Sequence, residues 1–69
     1  LEDYDKALEM LEKYSSSSSD AFIHELLGDI LTKKNKLDLA KKQYELAKEN
    51  YNDQTSISIV SMKISNLAS

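Results

Sequence analysis

Residues 21–54 read AFIHELLGDILTKKNKLDLAKKQYELAKENYNDQ, and the placing of Gly28, Ala40, Tyr44 and Ala47 within them constrains the fold more than any other feature. Gly28 is the only glycine of the chain and there is no proline, so helices are seldom interrupted. Small residues at these offsets let two helices approach closely, and a Tyr44 ring fills the space beside them. Ile23, Leu26, Leu27, Ile30 and Leu31 recur at i, i+3, i+4, i+7 and i+8, which is one apolar stripe of a helix over residues 21–34. Lys33 and Lys34 suit its negative C-terminal end, and Asn35 tolerates a left-handed turn. A second helix is predicted over residues 37–50, where Leu37, Ala40, Tyr44 and Ala47 repeat with Leu39 and Leu46 beside them. The short connection at Asn35, Lys36 and Leu37 makes the two helices antiparallel neighbours.

The flanks extend this pattern. In residues 1–14, Tyr4, Ala7, Leu8, Leu11 and Tyr14 return at helical spacing behind leading acids. Ala7 lies thirty-three positions before Ala40, and the same register sets Tyr4 opposite Leu37 and Leu11 opposite Tyr44. This segment therefore reads as the second helix of a preceding, truncated unit. Five consecutive serines, 15–19, break the pattern and lead to Asp20, a good N-cap. They read as a tolerant linker; a phosphorylated or recognised loop is the functional alternative. After a turn-rich Asn50-Tyr51-Asn52-Asp53, either Asp53 or Thr55 can cap the final segment. That segment alternates Ser and Ile like a strand, but Ile57, Val60, Ile64 and Leu67 fit one helix face. An isolated strand has no partner, so a closing helix is predicted, with Ser58, Ser61, Lys63 and Ser65 on a polar outer face. The expected organisation is thus a truncated unit (1–14), a Ser-rich loop (15–20), one complete unit (21–53) and a C-terminal capping helix (54–69). The expected fold class is all-α: antiparallel helix hairpins of a right-handed solenoid.

Composition narrows the function. Twelve acids against nine basic residues give a net charge of −3, and every basic residue is Lys. A nucleic-acid surface needs a clustered basic face, and bidentate phosphate recognition needs Arg. There is no Cys for a disulfide or a thiolate metal site. No apolar run approaches the ~20 residues of a membrane span, and no signal peptide is visible. The chain begins with Leu1 almost inside a helix, which reads as a C-terminal fragment whose membrane anchor, if any, lies upstream.

No constellation for chemistry emerges. His24 is the sole histidine, with Glu25 directed elsewhere on the helix and Gly28 one turn on; it reads as a packing residue, not a base or metal ligand. Glu45 and Glu49, Lys41 and Glu45, and Glu25 and Asp29 are each one turn apart and read as a solvated, salt-bridged face. Tyr4, Tyr14, Tyr44 and Tyr51 would need a basic groove to stack on nucleic acid; core filling suits Tyr44 and Tyr4, and neighbouring turns suit Tyr14 and Tyr51.

The central unit resembles the tetratricopeptide repeat. Leu27 and Gly28 match the Leu-Gly pair of that family's first helix, and Ala40, Tyr44 and Ala47 match the Ala, aromatic and Ala of its second. Leu31 stands where an aromatic is usual, His24 where Trp is commonest, and Asn52 where Pro is frequent. A narrower likeness joins ELLGDIL, KKNKLDLAKKQYELA and the terminal Met62-Lys63-Ile64-Ser65-Asn66-Leu67, which together look like the C-terminus of the YfgM family of ancillary SecYEG translocon subunits. That likeness implies a bacterial, inner-membrane protein with a periplasmic helical-repeat domain. It also implies translocon subunits, periplasmic chaperones and unfolded chains as partners. Richness in Lys, Asn, Ile and Ser suggests an AT-rich genome.

The resemblance implies a non-enzymatic protein-binding module with no cofactor and no metal. Its concave surface would come from the exposed positions of the first helix, here Phe22, Glu25, Asp29, Thr32 and Lys33. Phe22 lies off the main apolar face. Exposed, it is an aromatic anchor in a polar patch; otherwise it packs on an upstream unit or the serine loop. Two other readings stay open: a cytosolic tetratricopeptide adaptor that binds a short peptide or partner helix, and a regulatory domain fused to a catalytic part.

Overall fold

The computed structural model describes residues 2–15 and 20–67, and of these the side chains of all but 2, 4, 14 and 15. Four helices follow one another: α1 (Glu2–Ser15), α2 (Ala21–Lys33), α3 (Leu37–Asn50) and α4 (Gln54–Leu67). No strand occurs among the described residues. The alternating Ser and Ile of the last segment is helical, because α3 offers it an apolar face and no strand is available to pair with it. Ser15, expected to open the loop, ends α1, and 16–19 lie outside the described residues, as do the side chains of Tyr4 and Tyr14.

Local chemistry sets the helix ends. The Asp20 carboxylate accepts from the Phe22 amide at 2.9 Å, capping α2. Asp53, not Thr55, does the same for α4, accepting from the Ser56 amide at 2.9 Å; bonds from the Ser56 hydroxyl and amide hold its carboxyl below the ordinary value. At the end of α2, Asn35 takes φ 62°. The Lys36 amide bonds to the Leu31 carbonyl at 2.9 Å and the Asn35 amide to that of Thr32 at 3.0 Å. This is the Schellman arrangement, and it reverses the chain in two residues.

α2 and α3 pack most extensively, α4 lies on α3, and α1 lies on α2. Leu31, Ala40, Tyr44, Ala47 and Val60 form the core cluster, with Leu8, Tyr51, Ile64 and Leu67 packed around it. Leu27 and Val60 are the largest side chains fully removed from solvent. The five positions expected to hold the hairpin together, Leu27, Gly28, Ala40, Tyr44 and Ala47, are all buried. Gly28 is the point of closest approach: a Cβ there would sit 2.5 Å from Cδ1 and 2.9 Å from Cζ of Tyr44.

His24 is buried between the same helices and bonds through Nδ1 to Gln43 Oε1 at 2.8 Å. This is the packing role read from the sequence, with a polar partner on α3 that the sequence did not indicate. Gln43→Ala strands the ring nitrogen in the core, which costs about 1–3 kcal/mol. Thermal melting reads the loss; an unchanged midpoint would mean that water replaces the glutamine amide.

Candidate protein-docking site

Phe22, Glu25 and Asp29 fall at i, i+3 and i+7 of α2 and so share one face. Phe22, in the first turn of α2, is 57% exposed. Glu25 and Asp29 do not form the open solvated face that their spacing suggests. Lys63 reaches across from α4, donating to Glu25 Oε2 at 2.7 Å and to Asp29 Oδ1 and Oδ2 at 3.1 and 3.2 Å. The side chains of Glu25 and Asp29 are 15% and 41% exposed. The sequence pattern puts Lys63 on the polar outer face of the closing helix, yet it turns inward because two carboxylates on α2 compete successfully with water for its ammonium. Ile59 and Met62 are exposed on α4 instead.

Two tyrosines of the α3 segment complete the network. The Tyr44 hydroxyl donates to Asp29 Oδ1 at 2.6 Å, and the Tyr51 hydroxyl donates to Glu25 Oε1 at 2.5 Å. Thr32 donates to the Gly28 carbonyl at 2.8 Å and stands 3.3 Å from the Tyr44 hydroxyl. The Lys63 ammonium also sits 5.9 Å from the centre of the Tyr44 ring, within cation–π range. Burial, then the bond to Asp29, pushes the Tyr44 phenol up to about 12. Burial, then the bond to Glu25, does the same for Tyr51, also to about 12. Burial by itself would lower the Lys63 ammonium, but its bonds to Glu25 and Asp29 outweigh that and raise it.

Of the five residues read as the docking surface, Glu25, Asp29 and Thr32 are therefore engaged with α3 and α4. Phe22 and Lys33 remain exposed. Tyr51 and Lys63 belong to the site, although sequence reasoning does not include them in it. The available signal is that Lys63 is the only charged residue of α4. Lys34, at the end of α2, pairs with Asp5 of α1 and ties the first helix to the second.

Among the described residues, no group of three or more His, Cys, Asp or Glu side chains could hold a metal ion. No described helix is long and apolar enough to cross a membrane. What the site offers is an exposed aromatic ring beside a patch of two carboxylates and one ammonium held together across α2 and α4.

Comparison with curated proteins and with solved structures finds no match to this chain. A family model described as a tetratricopeptide repeat-like domain matches residues 1–69. That match spans the whole sequence, and the small-residue contact of Gly28 with Tyr44, the alanines facing it and the helix order all accord with it; the chain belongs to the tetratricopeptide repeat-like domain family.

Proposed function

We propose that this chain is a non-enzymatic docking module that holds protein partners on the α2 face around Phe22. The carrying observation is that Phe22 is 57% exposed one turn from a fixed charged cluster, so an aromatic anchor is offered with its polar surroundings already ordered. A rigid polar rim costs little further ordering entropy when a partner arrives. Phe22→Ala should leave the melting midpoint nearly unchanged and weaken binding about tenfold or more. Equal capture of partners by both proteins would remove Phe22 from the interface.

The finer reading rests on the likeness of the terminal Met62–Leu67 run and the two preceding helices to YfgM-type translocon accessories. In that role the module sits on the periplasmic side of the inner membrane and helps pass secreted chains to chaperones. Helix α1 is then the second helix of a preceding repeat, 21–53 one complete repeat and α4 the closing helix. A mild-detergent pull-down of the intact protein from membranes, with co-purifying proteins identified, tests this. Translocon subunits or periplasmic chaperones are the expected partners. A protein recovered only from the soluble fraction without them would replace this role with that of a cytosolic adaptor.

A further inference from the structure

The thirty-three-residue register between α1 and α3 also relates α2 to α4. Asp20 and Asp53 are the two capping aspartates and lie thirty-three positions apart. The same offset pairs Leu27 with Val60, both fully buried, Leu31 with Ile64, both in or against the core, and Gly28 with Ser61. α2 and α4 are thus equivalent helices, and Lys63 bridges them. The valley between them has a described helix on each side, so a further unit stacked at either end would not roof it. Glu25 and Asp29 line it from α2. Ile59, Met62 and Lys63 share one face of α4 at i, i+3 and i+4, and Ile59 and Met62 are 45% and 65% exposed. Phe22 stands at the head of the valley. Its equivalent on α4 is Thr55, which is exposed although α2 precedes it. Met62 is the equivalent of Asp29, whose side chain keeps 41% exposure although α4 follows it. Both positions therefore stay open beside a neighbouring unit.

We propose that this valley receives an extended segment of the partner in which a Lys or Arg stands between two aliphatic side chains; this names the partner's chemistry and rests on the docking function proposed for the Phe22 face. Two carboxylates meet one ammonium in the valley, and Tyr44 and Tyr51 join them only as neutral hydroxyl donors. One negative charge is left in excess, and its open edge is Asp29. Charge complementarity selects a cation over that edge and disfavours an acidic segment. Lys33, the exposed cation of α2, lies one turn beyond Asp29, so the acidic excess falls between Phe22 and Met62. The spacing fits an extended chain. Met62 matches Asp29 in register, seven residues past Phe22, which is about 10 Å along the axis. With neighbouring helices about 10 Å apart, the diagonal from Phe22 to Met62 is about 15 Å. An extended chain rises about 3.3 Å per residue and turns residues i, i+2 and i+4 to one side. Aliphatic groups at i and i+4 then reach Phe22 and the Ile59–Met62 pair, and the cation at i+2 lies over Glu25 and Asp29.

Met10 and Met62 are the two methionines of the chain, and both are well exposed, so one molecule carries both the probe and its control. The full chain with isotope-labelled methionine methyls is titrated with a capped seven-residue peptide. The peptide has Leu at its second and sixth positions, Lys at the fourth and Ser elsewhere. It should shift the Met62 methyl signal and leave that of Met10 in place. Ala at the fourth position should weaken binding about fivefold, and Glu by more than about tenfold. Ile59→Ser, a change at an exposed position, should weaken the Lys peptide about tenfold with the melting midpoint unchanged. A Met62 signal that does not move would overturn the proposal. So would a signal that moves equally with the Lys and Glu peptides, or unchanged affinity in Ile59→Ser. This proposal can fail while the docking function stands. Partner capture lost in Phe22→Ala, with Met62 unmoved by the Lys peptide, overturns the basic-segment assignment and keeps docking at Phe22. Equal partner capture by wild type and Phe22→Ala overturns docking at Phe22 and this assignment with it.

Discussion

Lys63→Met is expected to lower stability by about 1–3 kcal/mol and to free α4 from the rest of the fold. Removing one partner of a buried ion pair costs roughly 3–5 kcal/mol, and partial solvent access to Lys63, 31% exposed, reduces that. The loss has two parts. The Glu25 and Asp29 carboxylates are left close together without a cation, and α4 loses its tie to α2. What remains of its anchorage is Val60 in the core with Ile64 and Leu67 beside it. Hydrogen exchange should therefore quicken along α4 well before it does in α2 and α3. Equal protection of all three helices in the variant would show that apolar packing alone holds α4.

The same network makes the fold sensitive to alkali. Tyr44 and Tyr51 titrate near 12 in the fold and near 10 when unfolded. The folded chain keeps protons there that the unfolded chain releases. Their contribution is present in full below pH 10 and is lost as the pH rises toward 12. Lys63, raised above its ordinary 10.5, acts in the same direction, since its ammonium persists in the fold after the unfolded chain has lost it. Melting followed from neutral pH upward should show a decline that begins near pH 10.

Gly28→Leu is expected to cost about 3 kcal/mol, the upper end of the range for overpacking. Even Gly28→Ala brings a Cβ to 2.5 Å from Tyr44 Cδ1. Alanine would gain about 1 kcal/mol of helix propensity over glycine, but the ring has little room to yield. It is buried among Leu31, Ala40 and Ala47 and held at its far end by Asp29. Overpacking therefore outweighs propensity, and the net effect of alanine is destabilising. Gly28→Ser with Tyr44→Leu, which copies the Ser61 and Leu11 positions, should recover part of the loss of Gly28→Ser alone. Strictly additive losses in that cycle would mean that the two positions do not share one space.

The hairpin was legible because its determinants are local. Apolar spacing marks α2 and α3, Asp20 marks a start, and Asn35 with its positive φ marks a reversal. Each acts within a few residues, so each can be read along the chain. Phe22 was legible as an anchor only conditionally, since its exposure depends on what else covers α2. Glu25 and Asp29 read as a solvated, salt-bridged face, because local spacing offers only neighbours on the same helix, such as Lys33 one turn from Asp29. The groups that engage them, Tyr44, Tyr51 and Lys63, lie 15 to 38 positions away.

By itself the sequence determined the four helices, the Asp20 cap of α2 and the close contact of Gly28 with Tyr44, since backbone propensity and side-chain volume are properties of short segments. Only the tertiary structure decided that Lys63 turns inward, that His24 meets Gln43, and that Phe22 stays open to solvent. Those outcomes depend on which long side chains converge once α4 closes over α3. Attraction between distant charges and burial of distant rings leave no periodic trace in the chain that produces them.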